Sequence, residues 1–322
     1  MMDLLITIAG ITLLLAGGEG LIRGAVGIAR RLQISPFIVG LTIVGFGTSA
    51  PELVVSVDAA LSGVPGIAVG NVIGSNMANM LLIVGAAALV SPLTVHPDAV
   101  RRDSMIMIAA TLFFATVAYM GSMTFIHGAA FLVGLFLYLA YSLWSDARSA
   151  GPAAALHGDE AEEVAVGLPD RVGVLVIAML VGLAALVAGS RIAVIGATSL
   201  ARGAGISEEV IGLTLVAVGT SLPELATAFM AARRGHSDVC IGNVIGSNIF
   251  NLLGIAGAAA IAAPLSFSSD LLRFDIPVLI AVTVILIGFM ATGARVKRWE
   301  GGVLLLLYCL YLSVHLLPTT SS

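Results

Sequence analysis

The chain has 322 residues, of which 59% are hydrophobic and only 11% are charged. A soluble domain usually carries about 25% charged residues, so this composition excludes a water-soluble globule of this size. Soluble enzymes, secreted disulfide scaffolds and nucleic-acid-binding proteins are excluded with it. The net charge of −4 is too small to indicate a class of partner, and the two cysteines, Cys240 and Cys309, do not have the spacing of a metal site. Long apolar runs recur from end to end, so we predict an all-α polytopic membrane protein.

Apolar stretches between charged or Gly/Pro-rich breaks predict ten transmembrane helices. A polar, acidic segment near the middle divides them into a first five-helix repeat over 1–145, a cytoplasmic linker over 146–171 and a second repeat over 172–322. The predicted spans are 4–28, 37–61, 67–90, 104–120, 124–144, 172–200, 210–232, 239–262, 276–292 and 302–317.

Basic residues fall in alternate predicted loops, which indicates how the chain is oriented. The positive-inside rule places the loops rich in Arg and Lys in the cytoplasm, which puts both termini on the extracytoplasmic side. The opposite loops hold little more than Arg202 and Arg273. The cytoplasmic set comprises Arg30, Arg31, Arg101, Arg102, Arg148, Arg171, Arg233, Arg234, Arg295, Lys297 and Arg298.

The sequence repeats itself at one constant offset, which aligns Gly40 with Gly212. GLTIVGFGTSAPEL at 40–53 aligns with GLTLVAVGTSLPEL at 212–225, and GNVIGSNMAN at 70–79 aligns with GNVIGSNIFN at 242–251. Between 34 and 93, 31 of 60 positions are identical to their partners at this offset. Five spans separate equivalent points, so the second copy enters the membrane from the opposite side. Such inverted-topology repeats are typical of secondary transporters, whose substrate lies near the middle of the membrane between the repeats.

Glu52 and Glu224 are equivalent under this offset, and both lie deep in predicted spans. A carboxylate at the centre of a bilayer costs about 2.5–3.5 kcal/mol on insertion scales, and without a partner it would protonate. A cation bound between the two carboxylates removes that cost. A second acid, Glu19, lies four residues before Arg23 in the first span, which predicts an i,i+4 ion pair instead of a transport site.

Further oxygen-bearing side chains surround both glutamates. Pro51 and Pro223 have no N–H for the preceding turn, so each helix is expected to kink or break just before its glutamate and to expose backbone carbonyls. Oxygen ligands without thiolate or imidazole suit Na⁺, Ca²⁺ or Mg²⁺ and disfavour zinc, copper and iron. For any single Gly, Ser or Asn, packing between helices is the commoner role, and it stays an alternative. The candidate hydroxyl and amide positions are Thr48, Ser49, Asn71, Ser75 and Asn79 with their equivalents Thr220, Ser221, Asn243, Ser247 and Asn251.

The paired motifs GTSAPE with GNVIGSN, and GTSLPE with GNVIGSN, resemble the α-repeats of the sodium/calcium exchanger family within the cation/calcium antiporter superfamily. The close resemblance covers 34–93 and 206–265. It implies ten helices in two inverted halves and a prokaryotic cytoplasmic-membrane protein in which Ca²⁺ is exchanged against Na⁺. The ligands that it implies are Glu52, Glu224, Thr48, Thr220, Ser49, Ser221, Ser75, Ser247, Asn79 and Asn251, with backbone carbonyls at Gly45 and Ala217.

The residues bear on three alternatives to Na⁺/Ca²⁺ exchange. Exchange of H⁺ against Ca²⁺ at the same glutamates is the nearest, although the hydroxyl-rich motif favours Na⁺. A cation channel is more distant because channels usually surround a pore by oligomeric symmetry. An enzyme is not expected, since no nucleophile–base pair or histidine cluster lies in the predicted spans.

Partners are expected to be limited to the transported ions and the lipid bilayer. Asparagine at both Asn79 and Asn251, where K⁺-dependent relatives have an acid, predicts independence from K⁺. No cofactor, nucleic acid or obligate protein partner is expected, and a monomer would suffice for transport.

Overall fold

The computed structural model describes residues 2–32, 34–94, 97–149, 171–204 and 217–316. The described residues are mostly helical, as the composition predicts. Most of the predicted linker, and the first part of the span predicted over 210–232, lie outside the described residues. The helix that precedes the linker is continuous to Ser149, so it extends a short way into the predicted linker.

The first half contains eight α-helices and two short strands in its described part, with two π-helical turns between helices. The π-helical turns are Gly40–Val44 and Ala78–Ile83. The other elements are α1 Met2–Leu32, α2 Pro36–Val39, α3 Gly45–Thr48, α4 Ala50–Leu61, α5 Pro65–Met77, α6 Val84–Val90, β1 Leu93–Thr94, α7 Pro97–Tyr119, β2 Ser122–Met123 and α8 Phe125–Ser149.

The described elements of the second half begin at Val172, stop at 204 and resume at Ala217. Its π-helical turns are Phe250–Ile255 and Leu271–Asp275. The other elements are α9 Val172–Gly203, α10 Ala217–Thr220, α11 Leu222–Arg233, α12 Ser237–Ile249, α13 Ala256–Ala262, β3 Leu265–Ser266, α14 Ile276–Ala291, β4 Arg295–Val296 and α15 Arg298–Leu316.

Seven helical stretches in the described part of the chain are long and apolar enough to cross a membrane, and a bent pair of helices raises the number to eight. The bent pair is Phe37–Thr48 with Ala50–Leu61. Helix α15 overlaps the last predicted span but is not among these stretches. The seven are Met2–Leu32, Pro65–Val90, Arg101–Tyr119, Phe125–Ser145, Val172–Gly203, Ser237–Ala262 and Leu271–Ala291.

The two GNVIGSN helices form the centre of the bundle. In the most apolar 18-residue stretches of Pro65–Val90 and Ser237–Ala262, 78% and 83% of the residues are buried. The corresponding stretches of α1 and α9 are only 33% and 28% buried, so these long helices lie at the periphery. The tertiary fold therefore places the motif helices, and the polar residues on them, in the interior.

Helices α1 and α9 pack against each other along their length, and their contacts are reciprocal between the halves. A Cβ on Gly10 would lie 2.7 Å from the Cα of Ala193, and a Cβ on Gly182 would lie 3.0 Å from the Cα of Leu21. Gly182 is the repeat equivalent of Gly10, and Ala193 is that of Leu21. Since Gly10 meets a late residue of α9 and Leu21 an early one, the helices run antiparallel. The glycines permit this close backbone approach.

Two short antiparallel strand pairs also join the halves. Leu93 in β1 pairs with Val296 in β4, and Met123 in β2 pairs with Leu265 in β3. Each pair connects a strand of one half to a strand of the other. The halves are therefore intertwined and do not form separate lobes.

Candidate cation site

Each glutamate lies one turn after a break in its helix. Ser49 lies between α3 and α4 with φ −83° and ψ 7°, and Ser221 lies between α10 and α11 with φ −89° and ψ 5°. The helical segments on the two sides of Ser49 are bent by 45°. The proline two residues after each serine lacks the N–H that would continue the hydrogen-bond ladder. The predicted interruption before Glu52 and Glu224 is therefore present in both halves.

Both carboxylates are buried and accept hydrogen bonds from the opposite half of the chain. Glu52 and Glu224 are each 1% exposed. The Ser49 hydroxyl donates to Glu224 Oε1 over 2.9 Å, and the Ser221 hydroxyl donates to Glu52 Oε1 over 3.4 Å. Each serine lies three residues before the glutamate of its own half, but its hydroxyl donates to the glutamate of the other half. The reciprocal bonds bring the two broken helices to one site.

Several buried polar atoms of the glutamates and of the GNVIGSN helices have no hydrogen-bond partner among the described residues. The second carboxylate oxygen, Oε2, is unpartnered in both glutamates. An unsatisfied buried acceptor costs about 1–3 kcal/mol, and more when it is charged. Unpartnered carboxylate and amide oxygens are the hard ligands that Na⁺ and Ca²⁺ prefer. The amide oxygens in the same condition are Oδ1 of Asn76, Asn79, Asn243, Asn248 and Asn251.

The Gly45 carbonyl lies beside two of the predicted hydroxyl ligands. It accepts from the Ser247 hydroxyl over 3.1 Å and from the Thr48 hydroxyl over 3.3 Å. Thr48 also donates to the carbonyl of Val44 over 3.0 Å. A carbonyl and two hydroxyls from both halves thus converge next to the break that precedes Ser49. The structure thus brings Gly45, Thr48 and Ser247, three of the ligands that the family resemblance implies, into contact.

The remaining predicted ligands occupy buried positions or positions at a helix break. Ser75 is 5% exposed in α5, and Asn79 and Asn251 are buried in the π-helical turns that follow α5 and α12. None of these three side chains is hydrogen-bonded to a carboxylate of the site within the described ranges. Two predicted positions of the second half lie on the short helix before its break: Ala217, whose backbone is described, and Thr220.

Asn71 is absent from the ligands that the family resemblance implies, and the structure gives it a supporting contact. Its amide donates to the backbone carbonyl of Glu52 over 3.1 Å and to the Ser56 hydroxyl over 2.8 Å. Asn76 and Asn248 were missed altogether; each donates to the carbonyl four residues earlier over 2.7 Å and keeps its amide oxygen unpartnered. Their equivalence under the repeat offset is the signal that could have found them.

The ion pair predicted between Glu19 and Arg23 is confirmed, with 2.5 Å between the Arg23 Nε and Glu19 Oε1. The structure adds a second cation from the other half, because Arg234 Nε donates to Glu19 Oε2 over 2.7 Å. This contact joins α1 to the residue that follows α11. Spacing along the chain does not indicate a contact between residues 215 positions apart.

Comparison with known proteins identifies the family of the chain. The family model described as "Sodium/calcium exchanger protein" matches residues 2–144 and 174–317. The sodium/calcium exchanger MaX1 of Methanosarcina acetivorans is 35% identical and covers 97% of this chain and 98% of its own length. The inner membrane protein YrbG of Escherichia coli is 37% identical, with 86% and 85% covered.

A solved structure of the sodium-calcium exchanger NCX_Mj superimposes on the chain with a TM-score of 0.83 at 29% identity, covering 97% of this chain and 98% of the other. The family match spans both halves, and both curated relatives exceed 30% identity over most of their length. The chain therefore belongs to the sodium/calcium exchanger family, whose members are membrane antiporters of Ca²⁺ and other cations.

Proposed function

We propose that this protein exchanges Ca²⁺ for Na⁺ across the cytoplasmic membrane by alternating access at one shared site. In this proposal, ten helices form two inverted repeats of five, with both termini extracytoplasmic. Glu52 and Glu224 are the central ligands of either ion. Supporting ligands are Thr48, Thr220, Ser49, Ser221, Ser75, Ser247, Asn79 and Asn251, with the carbonyls of Gly45 and Ala217.

The observation that carries the proposal is the pair of buried carboxylates joined by reciprocal hydrogen bonds. Ser49 donates to Glu224 and Ser221 donates to Glu52, while Oε2 of each glutamate has no donor in the described structure. Two carboxylates neutralise one Ca²⁺ or two Na⁺, but they cannot neutralise both loads together. Competition for the same two charges couples the movement of one ion to the return of the other.

The reciprocal contacts of α1 with α9 support the inverted repeats. Because each contact has a counterpart at the repeat-equivalent positions with the roles of the halves exchanged, a two-fold relation between the halves accounts for both. The helices run antiparallel, so that two-fold axis is perpendicular to them and lies along the membrane plane. An axis of this kind is characteristic of transporters in which two conformations exchange the roles of the repeats.

The composition of the site favours Na⁺ as the counter-ion over H⁺. Hydroxyls and carbonyls at Thr48, Gly45 and Ser247 are neutral oxygen ligands that a proton does not need but an alkali cation does. The names of MaX1 and NCX_Mj, which pair sodium with calcium, agree with this assignment. The chain has asparagine at Asn79 and Asn251, which leaves no third carboxylate at those positions for K⁺.

The test is ⁴⁵Ca²⁺ uptake into proteoliposomes loaded with Na⁺. We expect Glu52→Gln and Glu224→Gln, singly and together, to abolish uptake because a neutral amide cannot balance the ion. Asp58→Asn is the matched control, since Asp58 is an acid on the same helix as Glu52 but lies nearer its end. Na⁺-driven uptake that survived in the double variant would exclude the proposed site.

The same vesicles separate the alternatives. Uptake driven by Na⁺ at clamped pH supports Na⁺ coupling, whereas uptake driven by a pH gradient without Na⁺ would support H⁺ coupling. Flux of ⁴⁵Ca²⁺ with no counter-ion on the opposite side would indicate a channel.

A further inference from the structure

The two halves are close in sequence, but their outer helices pack differently on the interior. Helix α1 lies against α11, where a Cβ on Gly18 would be 3.3 Å from the carbonyl oxygen of Ala226 and 3.3 Å from the Met230 side chain. No comparable packing joins α9 to α4, although both helices are fully described. The structure is therefore an asymmetric arrangement of two halves that are related by sequence.

Side-chain exposure on α4 and α11 records the same asymmetry. Val54 and Val55 on α4 are 63% and 38% exposed. Their equivalents on α11, Ala226 and Thr227, are 7% and 0% exposed. The end of the bundle where α11 lies is covered by α1, whereas the corresponding end at α4 is uncovered. The positive-inside rule assigns the covered end, which carries Arg233 and Arg234, to the cytoplasm.

Three charged residues lie at the contact between α1 and α11. We refer to Glu19, Arg23 and Arg234 as the Glu19 cluster. The Glu19 carboxylate accepts from Arg23 on its own helix and from Arg234 at the end of α11. The side chains are 21%, 32% and 27% exposed respectively, so solvent screens them only in part. A partly buried carboxylate shared by two guanidinium groups is a more favourable arrangement than an isolated surface ion pair.

The positions that are equivalent to this cluster under the repeat offset cannot form the same ion pairs. The positions equivalent to Glu19, Arg23 and Arg234 are Arg191, Ile195 and Ser62. When inverted halves exchange roles during transport, α9 takes the position on α4 that α1 now has on α11. In that exchanged conformer Arg191 faces a serine, and no ion pair replaces the one that is broken. The ionic contact therefore stabilises only one of the two conformers.

We propose that the Glu19 cluster biases the transport cycle toward the conformer closed at the cytoplasmic end, with the site accessible from outside. The inference rests on the proposed function because it requires one site that faces the two sides in turn. A bias of this kind raises the apparent affinity for Ca²⁺ at the outer face and lowers it at the cytoplasmic face. The charged groups involved do not touch the transported ion; they act as positioning residues for α1.

The experiment measures ⁴⁵Ca²⁺/Ca²⁺ exchange in right-side-out and inside-out membrane vesicles without Na⁺ or pH gradients. The readout is the ratio of the half-saturating Ca²⁺ concentration at the cytoplasmic face to that at the outer face. We expect Glu19→Gln and Arg234→Gln each to lower this ratio about fivefold, the effect of losing one well-placed ion pair. The double variant should show no further decrease, because either change alone removes the same contact.

Two further variants use the repeat as an internal control. Arg191→Gln removes a charge at the position equivalent to Glu19 and should leave the ratio unchanged. Arg191→Glu combined with Ser62→Arg creates the missing ion pair between α9 and α4. This pair should stabilise the conformer in which the site is open to the cytoplasm, so the ratio should fall even though the Glu19 cluster is intact. An unchanged ratio in both Glu19→Gln and Arg234→Gln, with exchange retained, would overturn the proposal.

An equal decrease of the ratio in Arg191→Gln would also overturn the proposal, because the effect would then follow from the loss of any charge on these helices and not from the ion pair. If one of the two cluster variants does not reach the membrane, the other gives the same test independently. Absence of ⁴⁵Ca²⁺/Ca²⁺ exchange in the unmodified protein would instead overturn the proposed function. Because the assay uses Ca²⁺ alone, its outcome does not depend on whether Na⁺ or H⁺ is the counter-ion.

Discussion

Gly246 provides a sharp test of how the two halves meet at the site. It lies in α12, within the second GNVIGSN motif, and an added Cβ would overlap the carbonyl oxygen of Leu41 and lie 2.7 Å from the Leu41 Cα. These are backbone atoms of the π-helical turn Gly40–Val44, which leads directly into Gly45. A side-chain rotation cannot relieve the contact, so Gly246→Ala must displace α12 or the turn.

The expected change in stability on Gly246→Ala is the sum of two opposing effects. Replacing glycine by alanine inside a helix stabilises the helix by about 0.8–1 kcal/mol. Overpacking a well-packed interior costs about 1–3 kcal/mol, and a backbone clash falls at the upper end of that range. The expected net effect is a loss of about 1–2 kcal/mol of stability. Because the turn leads into the Gly45 carbonyl, we also expect the half-saturating Ca²⁺ concentration to increase several-fold.

The assay is thermal unfolding of the purified protein in detergent, followed by ⁴⁵Ca²⁺ uptake in proteoliposomes. Gly288→Ala is the control, because Gly288 lies inside α14 and no described atom other than the adjacent backbone of its own helix lies within 4 Å of its added Cβ. Gly288→Ala should melt at or slightly above the temperature of the unmodified protein, and Gly246→Ala clearly below it. Equal melting temperatures and equal Ca²⁺ affinities for the two variants would refute the close backbone approach of α12 to the turn.

The other predictions concern single hydrogen bonds. Ser49→Ala removes the 2.9 Å bond to Glu224 and should raise the half-saturating Ca²⁺ concentration about tenfold, as expected for a bond to a charged group. Ser221→Ala, whose bond is 3.4 Å long, should have a smaller effect in the same uptake assay; an equal or larger effect would contradict the difference in geometry. Tyr311→Phe removes the 2.8 Å bond to the buried Asp275 and should lower the melting temperature while leaving Ca²⁺ affinity unchanged; an unchanged melting temperature would show that the bond does not contribute to stability.

Much of the candidate site could be predicted because intramembrane charge is costly. Glu52 and Glu224 are conspicuous in a chain with so few charges, and their equivalence under one offset indicates that both belong to one binding site. Proline two residues after each serine predicts the helix breaks for a local steric reason, and both breaks are present. The family assignment follows from the same motifs and is confirmed by the family model.

The contacts between the halves could not be predicted in this way. Local spacing places Ser49 near Glu52, but its hydroxyl donates to Glu224 on the other half, across the helix break. In the same way, the helical spacing of Glu19 and Arg23 gives one ion pair, whereas Arg234 joins them only because α1 crosses α11. Contacts of this kind depend on the packing of distant helices, which no short window of sequence encodes.

The sequence by itself determined that the chain is a membrane protein, that it contains a repeat, and that two acids lie at equivalent positions in that repeat. Hydropathy, sequence identity and charge can each be read from the order of residues along the chain. Only the tertiary structure decided which half supplies each hydrogen bond and which end of the bundle is covered. A repeat with 31 of 60 identical positions predicts two equivalent halves. The described structure instead buries Ala226 and exposes Val54, because α1 packs on α11 whereas no comparable packing joins α9 to α4.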